Sequence, residues 1–270
     1  MKLLAALFLL VQTSQAFATD LVFDLDWTLI YSTRAASAES NPEGIVRYQD
    51  EIYRFSDEAA KVILTLHRTP GMRISFFSGG DHARNEFVIE KLYEEINRLN
   101  GTPNQTLKPF RVGSADDLRV LSSDPLKRFS ERHKKPLRRL IPDIDLTDAI
   151  LIDDSDFADA GEEKNLLRIL DTLDDIPDFS SNEWKTAGLQ ELPKNRTDWS
   201  LERQKLVWVL GVVTEAKRLT QNTGVTFTEA VNQMTRNSLD APVTRDLPSY
   251  KAQVEKGLKA LNPRCDDRLK

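Results

Sequence analysis

One cysteine in 270 residues, Cys265, excludes an intramolecular disulfide, so the chain is stable without disulfide staples. Three histidines and that single thiol supply no Cys/His set of zinc-ligand spacing. With 11 glycines and 12 prolines, the chain is neither collagen-like nor of low complexity. Basic residues are not in excess: 37 Lys and Arg face 42 Asp and Glu, a net charge of −5. A protein that binds nucleic acid by general electrostatics carries the opposite sign. Long apolar runs are also missing. The run Leu3 to Val11 is too short for a bilayer, which takes ~20 residues.

That run reads instead as part of a secretory signal peptide over residues 1–18. Lys2 is its positive start, Gln12 to Gln15 its polar end, and Ala16-Phe17-Ala18 a small-x-small cleavage site. The mature protein is then expected in the periplasm or secreted, with no membrane span. Cys265 reads as a spare surface thiol, with an intermolecular disulfide as the alternative. Asn104-Gln105-Thr106 and Asn195-Arg196-Thr197 match glycosylation acceptors, used only in a eukaryotic secretory host.

What the chain does have is 40% hydrophobic residues, arranged as short apolar runs between amphipathic stretches. That alternation predicts an α/β protein with a parallel sheet and helices on both faces. Leu21 to Leu25, Ile74 to Ser78 and Ala149 to Asp153 read as buried strands. Ile45 to Tyr48 and Ile52 to Phe55 alternate around Gln49-Asp50-Glu51 as a hairpin flap. Helices are predicted over Asp57 to Leu66, closed by Gly71, and from the cap Asp81 to about Leu99. Asn165 to Leu170 is open between strand and helix. Helices are also predicted over Ser200 to Leu219, Thr228 to Thr235 and Ser249 to Leu261. The reading is a catalytic domain over 19–181 and a helical extension over 182–270 packed on it.

Three of the strands end in reactive groups: Asp24-Leu25-Asp26-Trp27-Thr28, Ser78-Gly79-Gly80-Asp81 and Asp153-Asp154-Ser155-Asp156. Parallel sheets bind ligands outside the carboxyl ends of their strands. Asp24, Asp26, Asp153 and Asp154 gathered there would repel one another unless protons or a cation intervened. Carboxylate oxygens without Cys or His partners suit Mg²⁺. A single strand-end aspartate such as Asp81 is more simply a helix cap.

These residues resemble the motifs of the haloacid dehalogenase superfamily of phosphotransferases. Asp24-x-Asp26-x-Thr28 is similar to the first motif, Ser78 to the second, Lys135 to the third, and Asp153-Asp154-Ser155 to the fourth. Lys134 is the rival for the third. The hairpin before the second strand, and the lysine segment leading to Asp-Asp-Ser, resemble the TFIIF-associating CTD phosphatase-like (NLI-interacting factor) branch. Trp27 stands where that branch usually has Glu, Ser78 where it has Thr, and Asp156 where it commonly has Pro.

The resemblance implies a fold and a mechanism. The fold is a Rossmann-like parallel sheet with a small flap and no large cap. Asp24 would be the nucleophile and Asp26 the general acid and base. Mg²⁺ would be held by Asp24, the backbone carbonyl of Asp26 and Asp154. Asp153 would orient Lys135 or a metal-bound water. Ser78 and Gly79 would hold phosphate oxygens with help from the helix start at Asp81. Lys135 would balance phosphoryl charge, and Thr28 would position the first loop through hydrogen bonds.

The expected function is an exported Mg²⁺-dependent phosphomonoester hydrolase, acting on a phosphoprotein or a small phosphomonoester. Another activity of the superfamily, a phosphomutase or phosphonate hydrolase, is the second reading. A catalytically silent binding module is the third. His82, His67 and His133 read as surface histidines. Trp27 is read either as a contact for the leaving group or as packing. The run Arg128, Arg132, Lys134, Lys135, Arg138, Arg139 reads as a solvated face.

Overall fold

Strand β1 (Thr19–Phe23) is buried along its whole length, because it lies in the middle of a sheet covered on both sides. Such a strand reads as a continuous apolar run rather than an alternating one. In the computed structural model, which describes residues 18–40, 42–102, 105–169, 196–235 and 247–262, β1 pairs in parallel with β5 (Met72–Phe77) and β9 (Ala149–Asp153). β10 (Leu166–Arg168) extends the sheet beyond β9, and β6 (Val112–Gly113) extends it beyond β5. The order is β10-β9-β1-β5-β6, all parallel. Residues 165–170, open between strand and helix in the sequence, therefore include a strand. Residues 1–17, Asn104, Asn195 and Cys265 lie outside the described residues.

Successive β1 side chains point to opposite faces of the sheet, and the core divides accordingly. Leu21 and Phe23 join Ile74, Phe76, Ile150 and Ile152 under the long helices. These are α2 (Ala59–Arg68) and α3 (His82–Asn100), with α5 (Lys205–Thr223) and α6 (Phe227–Thr235) from the C-terminal half. Val22, Phe77 and Leu151 face the other way, where the helical turn Leu137–Leu140 and nearby loops cover them. The two faces are thus covered very unequally. No helix among the described residues is long and apolar enough to cross a membrane.

A second, antiparallel sheet follows β1. β3 (Ile45–Tyr48) and β4 (Glu51–Phe55) form the expected hairpin, but the turn is two residues long and Glu51 belongs to β4. β2 (Ile30–Ser32) pairs with β4 as a third strand, and α1 (Ala35–Ser40) connects β2 to the hairpin. Residues 119–134 carry a further two-stranded ribbon, β7 (Arg119–Val120) with β8 (His133–Lys134). Neither interval holds a separately folded cap among the described residues.

Helix α2 starts two residues later than the sequence predicts. Glu58 takes a left-handed conformation, and Asp57 stays outside the helix to accept two bonds from Arg203, each 2.8 Å. The predicted helix over Ser200 to Leu219 is in fact two. α4 (Arg196–Glu202) ends before Arg203, and α5 begins at Lys205. Arg203 and Lys205 both reach across to the first half of the chain, which is where the helix breaks.

α5 meets α7 (Leu247–Leu261) backbone to backbone. A Cβ on Gly211 would lie 1.9 Å from the carbonyl oxygen of Gln253, and one on Gly257 would lie 2.0 Å from that of Val207. Helix propensity alone favours Ala over Gly by about 1 kcal/mol. Here the clash is with backbone, which cannot rotate away, so the helices must separate. Gly211→Ala is expected to cost about 3 kcal/mol, the upper end for overpacking. Separation would break the stack of Trp208 on Tyr250, whose centroids are 5.7 Å apart. Near-ultraviolet circular dichroism and the thermal midpoint check this; an unchanged or raised midpoint contradicts it.

His67 is not the surface residue the sequence suggests. Its Nε2 lies 2.7 Å from the Tyr93 hydroxyl, and burial pushes its pKa below the ordinary value. The fold therefore favours the neutral ring. Its contribution is full above the unfolded-state pKa of 6.5 and is lost as pH falls through the lower folded value. Acidification from about pH 8 to about pH 5 should lower the thermal midpoint more in the wild type than in His67→Gln. Parallel curves would contradict this.

Candidate active site

β1 and β9 run side by side, and their carboxyl ends bring together the residues that the sequence separates by 130 positions. Asp24 follows β1 directly, its N–H bonded to the Ile152 carbonyl at 2.9 Å. Asp153 is the last residue of β9. One carboxylate oxygen from each of Asp24, Asp153 and Asp154 falls within a single cluster, all within 4.8 Å of one another.

Lys135 is buried beside two members of this cluster. Its Nζ donates to Asp24 Oδ1 at 2.5 Å and to Asp153 Oδ2 at 2.7 Å. Its backbone N–H bonds to the Phe157 carbonyl at 2.8 Å, which ties the lysine to the loop after β9. Lys134 faces away, with its Nζ 2.7 Å from the Asp156 carbonyl. The geometry thus separates the two lysines that the sequence leaves as rivals. Asp153 is fully engaged by the chain, because its Oδ1 also accepts from the Ser155 N–H at 2.9 Å.

Charge in this cluster does not balance. Burial pushes the Asp24 carboxyl well above its ordinary range; Lys135 pulls it down, and Asp153, Asp26 and Asp154 push it further up. Burial lowers the Lys135 pKa, but the two carboxylates outweigh that and hold the ammonium charged. One buried cation thus faces two buried carboxylates, with a third at the rim. An oxygen-only donor set short of positive charge fits Mg²⁺.

Asp26 sits apart from this cluster, with its side chain 41% exposed. The Ser78 hydroxyl donates to its Oδ2 at 2.8 Å. Arg84 also donates to both of its carboxylate oxygens, one bond being 2.9 Å to Oδ2. Arg84 is buried, lies 4.8 Å over the Tyr53 ring of the flap, and donates to Asn85 Oδ1 at 3.0 Å. The sequence reading missed this residue. The available signal was an arginine in the first turn of a helix, the end where a cation is disfavoured by the helix dipole.

Two expected roles look different in the structure. The Ser78 hydroxyl is engaged with Asp26 rather than waiting for a ligand, and it also accepts from the Gly80 N–H at 3.2 Å. The Thr28 hydroxyl is fully buried and makes no hydrogen bond among the described residues. Thr28 contributes through its backbone, its carbonyl accepting from Ser56 Oγ at 3.0 Å. Asp81 caps α3 as expected, accepting from the Arg84 N–H at 2.9 Å.

Gly79 is closely packed. A Cβ there would lie 2.7 Å from the Phe129 ring, which presses on the loop from the 119–134 segment. That ring stacks on His133, centroids 4.2 Å apart. His82 is exposed at the start of α3, 3.1 Å from Glu86. The basic run is partly committed locally: Arg139 donates to the Leu118 and Asp116 carbonyls, and Lys134 pairs with Asp156. Trp27 is 46% exposed and takes a left-handed backbone, with φ of 63°.

Sheet and site together define a class: a parallel-sheet α/β protein with a lysine-braced carboxylate cluster outside two adjacent strands. Among solved structures, the chain is similar to the fission yeast RNA polymerase II CTD phosphatase Fcp1, in an arginine-to-alanine variant bound to beryllium fluoride. The match has 16% identity and a TM-score of 0.46, and it covers 91% of this chain and 81% of that one. A second structure of Fcp1, described as an essential RNA polymerase II CTD phosphatase, matches with 16% identity, a TM-score of 0.43 and the same coverage. No protein-family model matches the chain, and no curated protein matches it.

Proposed function

We propose that this protein is a Mg²⁺-dependent phosphomonoester hydrolase of the haloacid dehalogenase type, exported and acting through an aspartyl-phosphate. One observation carries the reading: carboxylate oxygens of Asp24, Asp153 and Asp154 gather at the carboxyl ends of β1 and β9, with buried Lys135 paired to Asp24 and Asp153. A purely structural core has no use for three clustered carboxylates and one lysine.

In this reading an oxygen of the Asp24 carboxylate attacks phosphorus, and the bond from phosphorus to the leaving oxygen breaks. Asp26 gives a proton to that oxygen. Water then attacks the phosphorus of the aspartyl-phosphate and loses its proton to Asp26. The bond to Asp24 breaks, and inorganic phosphate leaves. Asp24, the backbone carbonyl of Asp26 and Asp154 would hold Mg²⁺, whose charge when bound lets an anionic phosphate approach an anionic carboxylate. Lys135 offsets part of the burial that disfavours ionised Asp24, and it stabilises charge that develops on the phosphoryl group. Asp153 fixes Lys135.

To act as an acid, Asp26 first gives up its contacts with Arg84 and Ser78 and takes a proton from solvent, to which its side chain is 41% exposed. Ser78 is then free to bond a phosphate oxygen, beside the Gly79 and Gly80 backbone. With no separately folded cap among the described residues, the site would admit a phosphoprotein or a small phosphomonoester. The signal-like residues 1–18 support export to the periplasm or beyond. The test is hydrolysis of an aryl phosphate with Mg²⁺ and with EDTA. Metal-dependent turnover is expected. Absence of turnover on aryl phosphates, nucleotides and phosphopeptides alike, with Mg²⁺ bound, would instead favour a silent binding module.

A further inference from the structure

Lys205 is the first residue of α5, ahead of the apolar run that anchors that helix in the core. It is 2% exposed. A lysine this buried normally has a specific partner. Its Nζ donates to the Trp27 carbonyl at 2.6 Å, across 178 residues of sequence.

The carbonyl it holds is an unusual one. Trp27 has φ of 63°. That region costs a non-glycine residue roughly 1 kcal/mol or more, and a bulky residue there is an outlier that its surroundings must enforce. The Trp27 N–H bonds to the Ile30 carbonyl at 2.7 Å, so the residue is pinned on both sides. Trp27 directly follows Asp26 and lies three residues from Asp24. Two positions before Lys205, Arg203 makes its two 2.8 Å bonds to Asp57, where the flap returns to α2. The start of the helical extension therefore touches the first-strand loop and the base of the flap at once.

We propose that Lys205 is a positioning residue for the proposed phosphatase site: it holds Trp27 left-handed and thereby sets the Asp24–Thr28 loop. The inference rests on the hydrolase reading only for its effect on rate. Its structural half stands without it, since loop order is measurable without substrate. The helical extension is thus part of the working site rather than an appendage.

The test is a double-mutant cycle between Lys205→Met and Trp27→Gly, in the full chain, with two readouts. The first is amide hydrogen exchange of the peptide spanning residues 21–32, measured without substrate, against the peptide spanning β9 as control. Lys205→Met should speed exchange in the loop and leave β9 slow. Glycine adopts the left-handed region without cost, so Lys205→Met should have less effect on the loop when Trp27→Gly is already present.

The second readout is kcat/KM on an aryl phosphate. Lys205→Met should lower it about 100-fold, the loss expected from a misplaced catalytic group. Most of that loss should fall in kcat, and it should shrink when combined with Trp27→Gly. Equal losses in both backgrounds, or loop exchange unmoved by Lys205→Met, would overturn the proposal. Faster loop exchange with no turnover in any variant would leave Lys205 as the loop's anchor and reject the hydrolase reading instead. Should Lys205→Met fail to fold, Lys205→Arg is read in the same way. Its forked head displaces the carbonyl, so loop exchange rises if the proposal holds and stays at the wild-type rate if it does not.

Discussion

Asp24→Asn is expected to abolish turnover, with kcat falling on the order of 10⁴-fold or more, as when a covalent nucleophile is lost. The same substitution should not destabilise the fold. In the wild type, buried Lys135 faces two carboxylates, and burial disfavours the ionised form of Asp24. An amide of nearly the same shape at position 24 leaves Lys135 paired with Asp153 alone, one charge against one. The thermal midpoint without metal should therefore hold or rise while activity vanishes. That combination marks a residue kept for chemistry at the expense of stability. Mg²⁺ at about 100 times its dissociation constant should stabilise the wild type by about 2.7 kcal/mol, and the gain should shrink in Asp24→Asn and in Asp154→Ala. Turnover surviving in Asp24→Asn would remove Asp24 from the nucleophile's role.

Lys135→Met should have the opposite thermal signature. Removing Lys135 leaves Asp24 and Asp153 buried beside each other without the cation that pairs with both. Breaking a buried pair in this way costs about 3–5 kcal/mol. For a chain of this length that corresponds to a midpoint lower by roughly 10 °C. Activity should be lost as well. Added Mg²⁺ should recover part of the midpoint, because it supplies positive charge to the same oxygens, and Lys134→Met should leave the midpoint nearly unchanged. Equal effects of the two substitutions would contradict the placement of Lys135 between the carboxylates.

Much of this arrangement is legible in the sequence, for physical reasons. β1, β5 and β9 are buried on both faces, so they appear as apolar runs, and β9 is read with its observed bounds, Ala149 to Asp153. Their carboxyl ends carry the acids, and the strand rule groups Asp24, Asp26, Asp153 and Asp154 from the sequence alone; the fold gathers three of them and holds Asp26 aside on Arg84 and Ser78. Short strands stabilised only by distant partners are not legible. β2, β7 and β8 have two or three residues each, too few for a period to register. The choice between Lys134 and Lys135 is also invisible, since spacing tolerates either. The fold decides it by turning adjacent side chains to opposite sides.

Buried charges are the other blind spot. The sequence does not single out Arg84 or Lys205, and only the fold reveals that each is buried against the first-strand loop. The break between α4 and α5 is missed for the same reason. The predicted helix runs through Arg203 and Lys205, while their side chains are committed to Asp57 and Trp27.

The most direct test of the central claim is to trap the covalent species. The protein would be mixed with an aryl phosphate and Mg²⁺, quenched in acid within one turnover, digested and analysed by mass spectrometry. The account predicts a phosphoryl group on the peptide containing Asp24, located on Asp24 itself and absent from Asp24→Asn. A phosphoryl group on a different residue, or full turnover with no covalent species at any quench time, would contradict it.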